Sequence, residues 1–202
     1  MAATSRAGST GQRIEICSDV GLRGKLHFAL GFGQEVTSET MQDLLSRAER
    51  IGRLLKQRGE TIVVAESSTG GLVSAALLAM PGASAYFLGG AIVYTQTARK
   101  ALLDLGDISA LGMRAASEPY ARLLAQTARE RFVSTWALAE SGATGPSGNR
   151  YGDAPGHCCL AVSGPVERAL TLETGVSDRV ANMRAFSAAA LDLLAQAMAF
   201  SS

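Results

Sequence analysis

Between residues 38 and 58 the apolar positions are Met41, Leu44, Leu45, Ala48, Ile51, Leu54 and Leu55. Spacings of three and four place them on one face of an α-helix. Thr37 or Ser38 is placed to cap its start, and Gly59 suits a left-handed end. The pattern then changes period. TIVVA at 61–65 is a short unbroken apolar run rich in β-branched residues, which reads as a buried strand. ESSTGG at 66–71 is a small, polar turn, LVSAALLAM reads as a helix, and Pro81-Gly82 stops it. GGAIVY at 89–94 predicts a second strand, and a helix begins at Thr97. Ser117 caps a further helix over 119–132, with proline in its first turn. TWALA at 135–139 predicts a third strand. HCCLAVS (157–163) and ERALTLE (167–173) predict an antiparallel pair around Gly164-Pro165. A last helix spans about 178–198.

Helices alternating with buried strands predict an α/β fold, a three-layer α/β/α sandwich whose hairpin makes the sheet mixed. Residues 1–35 hold no sustained period. They predict an N-terminal extension, disordered or packed late on a domain formed by 36–202. The first ten residues lack the apolar core of a secretory signal, although their Arg/Ser/Ala composition faintly resembles an organelle transit peptide. They read as a flexible leader.

Composition narrows the function classes. The 202 residues carry a formal net charge of +1, so no overall field draws the chain to nucleic acid or an anionic membrane. Aromatic residues make up 5%, too few for base-stacking platforms. No apolar run has the length of a membrane-spanning helix. Cys17 stands alone and Cys158-Cys159 are adjacent, without zinc spacing. Reduced structural thiols in a cytoplasmic protein, rather than a metal site, are the expectation. Only three lysines stand against sixteen arginines, which matters because lysine can surrender its proton in a site and arginine cannot.

Two turns carry candidate chemistry. Ser67, Ser68 and Thr69 offer hydroxyls, while Gly70 and Gly71 let a ligand approach the backbone. Free N–H groups at the following helix start would bind a phosphate or an oxyanion. SGATGP at 141–146 reads as a second small-residue turn after a buried strand. Together with residue 94 the two turns fall at strand ends, where open α/β sheets place ligands. Each turn alone is equally an ordinary capped connection. The loop over 140–156 holds five glycines and two prolines, a length usual for functional or mobile loops. Arg179 and Arg184 flank the start of the last helix, either as phosphate ligands or as solvated charges.

The run from Val64 to Leu103 resembles the carboxy-terminal domain of the CinA (competence/damage-inducible) proteins, whose motifs are A-E-S-C-T-G-G, P-G-S-S and G-x-x-x-Y-S-N-x-x-K. ASEPYARLLA at 116–125, S-G-x-x-G-P at 141–146 and V-S-D-R at 176–179 match in the same order. The resemblance covers about residues 38–198 and leaves out the family's separate amino-terminal domain. It implies hydrolysis of the carboxamide of nicotinamide mononucleotide to nicotinate mononucleotide and ammonia, with no cofactor. It also implies Ser67 as nucleophile, with Thr69, Gly70 and Gly71 beside it. Tyr94 would contact the nucleotide or the catalytic group. Ser141, Gly142, Thr144 and Gly145 would hold the substrate from the facing turn, and Arg179 its phosphate.

The departures define an alternative. Counting from Tyr94, the family's general-base lysine falls at Arg99, with Lys100 next to it. A guanidinium stays protonated, and adjacent helical residues point about 100° apart. The family's cysteine is Ser68, its Y-S-N is Tyr94-Thr95-Gln96, its alanine before Gly145 is Thr144, and Glu140 places an acid beside the site. Two readings follow: a pyridine-nucleotide amidase, with Lys100 or water taking the proton, or a paralogue that keeps the nucleotide pocket as a binding or regulatory module. A structural role is the bland third. A homo-oligomer is the expected assembly.

Overall fold

The computed structural model describes residues 39–201. The extension expected over 1–35 and the caps expected at Thr37 or Ser38 lie outside them, and the domain begins with α1 (Met41–Arg58). Thr40 caps α1: its hydroxyl accepts from the Asp43 N–H, and the Asp43 carboxylate accepts from the Thr40 N–H. This reciprocal pair satisfies two donors that a helix start otherwise leaves orphaned. Then follow β1 (Ile62–Glu66), α2 (Leu72–Leu78), β2 (Phe87–Ile92), α3 (Gln96–Leu103), α4 (Glu118–Phe132), β3 (Trp136–Ala143), β4 (His157–Ser163), β5 (Arg168–Glu173) and α5 (Arg179–Ala199).

The sheet order is β2-β1-β3-β4-β5. β1 runs parallel to β2 and β3, whereas β4 is antiparallel to β3 and β5. Alternate residues of each central strand feed different cores, as a period of two requires. Ile62 and Val64 pack with α1, α2 and α5, while Val63 and Ala65 pack with α3 and α4. All are essentially inaccessible to solvent, each such aliphatic side chain contributing about 1.5–3 kcal/mol of burial. The fold is therefore the mixed-sheet, three-layer sandwich expected.

Two strands differ most from the sequence pattern, and both matter for the site. β2 runs from Phe87 to Ile92, two residues earlier at each end than the expected 89–94, so Tyr94 lies beyond it, and it keeps glycine in its interior although glycine weakens a strand. Gly90 is needed there because a Cβ would stand 2.1 Å from the Ser74 hydroxyl oxygen on α2. β3 continues past Ala139 to Ala143, because Glu140 to Ala143 keep pairing with Leu160 to His157. Ser141 and Gly142 thus belong to a strand, and only residues 144–146 turn.

Candidate functional site

β1 and β2 end level with one another, while β3 runs on beside them to Ala143. Ala65 pairs with Ala139 and Ala91, and Glu66 pairs with Ile92. The chain leaves β1 through Ser67–Gly71, where Gly70 and Gly71 take positive φ. Two carboxylates lock this turn from beneath, and both are buried. Glu66 accepts from the N–H groups of Gly71 (2.9 Å), Val73 (3.1 Å) and Ser74 (2.8 Å), and from the hydroxyls of Ser74 (2.5 Å) and Thr69 (2.7 Å). Glu140 accepts from the N–H groups of Ser67 (2.6 Å) and Thr69 (2.7 Å) and from the Ser68 hydroxyl (2.6 Å). Burial pushes the Glu140 carboxyl above the usual range, against the lowering effect of these hydrogen bonds.

This corrects one expectation. The N–H groups at the start of α2 are not free for an oxyanion or a phosphate, because the two glutamates consume most of them. Among the turn's backbone donors, those of Ser68 and Gly70 remain. Ser67 is half-buried, and its hydroxyl makes no hydrogen bond among the described residues, whereas Ser68 and Thr69 are buried with their hydroxyls tied to carboxylates.

Turn 144–146 lies on the same edge. Gly145 has φ +103°, and a Cβ there would stand 2.5 Å from the Ser177 carbonyl oxygen, so only glycine fits. Arg179, at the start of α5, donates from Nη1 to the Gly145 carbonyl (2.9 Å) and from Nη2 to the Tyr94 hydroxyl (3.3 Å). Tyr94 and Arg179 are both exposed. The structure thus brings Tyr94, Gly145 and Arg179 together, while Glu140 joins β3 to the Ser67 turn. α5 spans both turns. Its Asn182 donates to the Thr144 and Val176 carbonyls (2.8 and 2.7 Å), and the Met183 methyl lies beside Gly70, where an added Cβ would stand 3.1 Å from it. The Ser141 hydroxyl accepts from the Ala116 N–H (3.1 Å), before α4.

The two basic candidates face elsewhere. Arg99 is buried, donates to the carbonyls of Leu105 (3.3 Å) and Gly106 (2.8 Å) and to the Tyr120 hydroxyl (3.4 Å), and stacks over the Tyr120 ring. Lys100 is exposed and pairs with Asp104 at 2.5 Å. Neither makes a hydrogen bond to Ser67.

Sequence reasoning assigned no role to Glu66 or Asn182. The available signal for Glu66 was its place as an acid ending a buried strand just before a turn rich in orphan donors. Asn182 had no comparable local signal, because its partners come from two distant loops.

A second polar cluster sits where β4 meets the start of α4. His157 Nδ1 is 2.5 Å from Glu173 Oε1, and Nε2 is 3.0 Å from the Ala116 carbonyl oxygen and 3.6 Å from the Cys159 sulfur. Carboxylate and carbonyl oxygens only accept, so both ring nitrogens carry protons. The Cys159 sulfur, followed by Glu173 and the Ala116 carbonyl, outweighs burial and raises the His157 pKa to about 10. Its contribution to stability is therefore full below pH 6.5, the ordinary value, and disappears as pH rises through about 10. The expected result for His157→Gln is a melting temperature furthest below wild type at pH 6.5 and under, with the gap narrowing steadily toward pH 10. A constant gap would exclude an imidazolium at this position.

Among the described residues no helix is long and apolar enough to cross a membrane. No three His, Cys, Asp or Glu side chains among them are grouped to hold a metal ion. The sandwich is an α/β domain with a mixed sheet, and the candidate site lies at the carboxyl ends of its parallel strands, where open α/β sheets place ligands.

The chain belongs to the CinA family, whose C-terminal domain model matches residues 44–198. A CinA-like protein of Prochlorococcus marinus (strain MIT 9313) is 46% identical over 112 residues, which cover 55% of this chain and 26% of that protein. One from Gloeobacter violaceus is 37% identical over 155 residues, 76% of this chain and 36% of that protein. The chain thus spans only about a quarter to a third of the length of these relatives. Among solved structures, the competence/damage-inducible protein CihA of Agrobacterium tumefaciens is 29% identical, with TM-score 0.69, covering 76% of this chain and 94% of that one. A CinA superfamily protein of Klebsiella pneumoniae has TM-score 0.72 at 23% identity, over 78% of this chain and 98% of that one, a likeness of fold.

Proposed function

We propose that this domain hydrolyses the carboxamide of nicotinamide mononucleotide, or of a close pyridine mononucleotide, releasing ammonia. One observation carries the reading. Of this chain's three consecutive hydroxyls at 67–69, only that of Ser67 is left unbound among the described residues, on a turn whose backbone two buried carboxylates hold still. A nucleophile needs a free hydroxyl in a fixed place.

In this scheme Ser67 Oγ attacks the amide carbon. The N–H groups of Ser68 and Gly70 are the turn's remaining donors for the developing oxyanion. Tyr94 borders the base, and Arg179, exposed beside Gly145, supplies a guanidinium for the phosphate. The Ser67 proton passes through water to the departing nitrogen, or through Lys100 once it leaves Asp104. Water then opens the acyl-enzyme, giving the carboxylate and regenerating Ser67.

The placement of Arg99 and Lys100 favours a second reading, in which the pocket binds the nucleotide without turning it over. Ammonia release and thermal shift, measured together with nicotinamide mononucleotide, separate the two. Hydrolysis predicts both signals. Binding alone predicts a shift, worth about 2.7 kcal/mol at a hundredfold excess over Kd, with no ammonia. In the second case Arg99→Lys is expected to leave turnover absent, because the side chain at 99 is directed at Leu105, Gly106 and Tyr120 rather than at Ser67. Neither signal with any pyridine mononucleotide rejects both readings.

A further inference from the structure

Thr69 joins the two buried glutamates. Its Oγ1 stands 2.7 Å from Glu66 Oε2 and 2.8 Å from Glu140 Oε1. A hydroxyl has one hydrogen to donate. Were both carboxylates ionised, one of these short contacts would hold two oxygens with no proton between them. Glu66 is 0% exposed and Glu140 1%, so no solvent relieves the repulsion. One additional proton on the pair completes the chain: an acid O–H donates to Thr69, and Thr69 donates to the other carboxylate.

Among the described residues, the groups facing the pair bring no positive charge. They are Ser67, Ser68 and Thr69 of the turn and Ser74 of α2, joined from β4 by the Cys158 thiol at 3.8 Å. Tyr120 of α4 feels the field of Glu140, and α5 offers Met183 beside Gly70. Burial pushes both the Glu140 carboxyl and the Cys158 thiol upward, which agrees with an uncompensated acidic interior.

We infer that Glu66 and Glu140 hold one proton between them through the Thr69 hydroxyl, and that Glu140 is thereby a positioning residue for the nucleophile turn. Loss of the proton sets two carboxylates against each other across Thr69. The turn relaxes, and Ser67, whose N–H is held by Glu140, moves with it. The kinetic part of this inference rests on the hydrolase reading; the shared proton itself does not.

The test uses Glu140→Gln in the full chain. The Ser67 and Thr69 N–H groups both fall on Glu140 Oε1, which the amide retains as its carbonyl oxygen. The amide NH2 then meets the Ser68 hydroxyl, which can rotate to accept. The variant keeps the turn and removes the titration. Three readouts follow. The infrared spectrum at neutral pH is expected to show a protonated-carboxyl band that the variant lacks. Wild-type kcat for nicotinamide mononucleotide is expected to fall about tenfold per pH unit above the pair's titration point, while KM holds and the variant's kcat stays flat. A group that binds its proton more tightly when folded loses stability as pH rises. Wild-type melting temperature is therefore expected to decline relative to the variant as pH rises above 4.5, the ordinary glutamate value. His157 titrates in both proteins and cancels. An absent infrared band, or parallel melting curves, overturns the shared proton. Parallel kcat profiles overturn the positioning role. If neither protein releases ammonia, the hydrolase reading has failed, and the spectrum and melting difference still decide the proton.

Discussion

Ser67→Ala is expected to reduce ammonia release from nicotinamide mononucleotide by about 10³-fold or more, to the solution background. The same substitution should leave the melting temperature and the nucleotide-induced shift close to wild type. The reason is local: the Ser67 hydroxyl makes no hydrogen bond among the described residues, while its N–H, which the alanine keeps, is bound by Glu140. The expected signature is thus a loss of kcat with folding and binding intact. Equal rates in both proteins, above background, would remove Ser67 from the mechanism. A drop in stability equal to the drop in rate would mean that the hydroxyl has a structural task.

The largest effect on stability is expected from Glu66→Gln, a substitution that opens no cavity. Both oxygens of Glu66 are occupied by donors. Oε1 takes the Ser74 N–H and hydroxyl, and Oε2 takes the Gly71 and Val73 N–H groups and the Thr69 hydroxyl. Whichever way the amide turns, its NH2 faces at least one buried N–H. The less costly orientation orphans the Ser74 N–H, and one such unsatisfied donor costs about 1–3 kcal/mol. For a domain of this size that lowers the melting temperature by roughly 5 °C. A loss below about 1 kcal/mol in denaturant unfolding would show that the turn does not depend on this carboxylate. Glu66 and Glu140 therefore part company on the same chemical change, because the backbone N–H donors divide over two oxygens in one and gather on one oxygen in the other.

Much of this was readable along the chain. The α1 face from Leu44 to Leu55 announced itself by its period, and the β1 run by its lack of polar positions. Both depend on local spacing alone. Ser67 and the two glycines were legible as a turn for the same reason, and the ordered motifs carried the family. The failures share a cause. The strand expected over 89–94 lies two residues late because Phe87 and Leu88 carry no local mark of its start, and only the approach of Ser74 from α2 shows why Gly90 stands inside it. β3 was ended early because Glu140 looks like the first residue of a loop. Its side chain is a buried acceptor, and that requires knowing that the Ser67 turn lies beside it.

The order of residues by itself determined the layered architecture, the identity of the family, and which turns hold small hydroxyl residues and glycines. Those properties follow from periodicity and from conformational freedom, each a matter of near neighbours. Tertiary structure alone decided how the hydroxyls are used: Ser67 left open, Ser68 and Thr69 bound to carboxylates, Arg99 packed against Tyr120 and Lys100 turned to Asp104. Hydrogen-bond donors and acceptors are short-ranged and must be matched one to one. Glu140 reaches the Ser67 turn from more than seventy positions away, a pairing that no reading of local pattern can make.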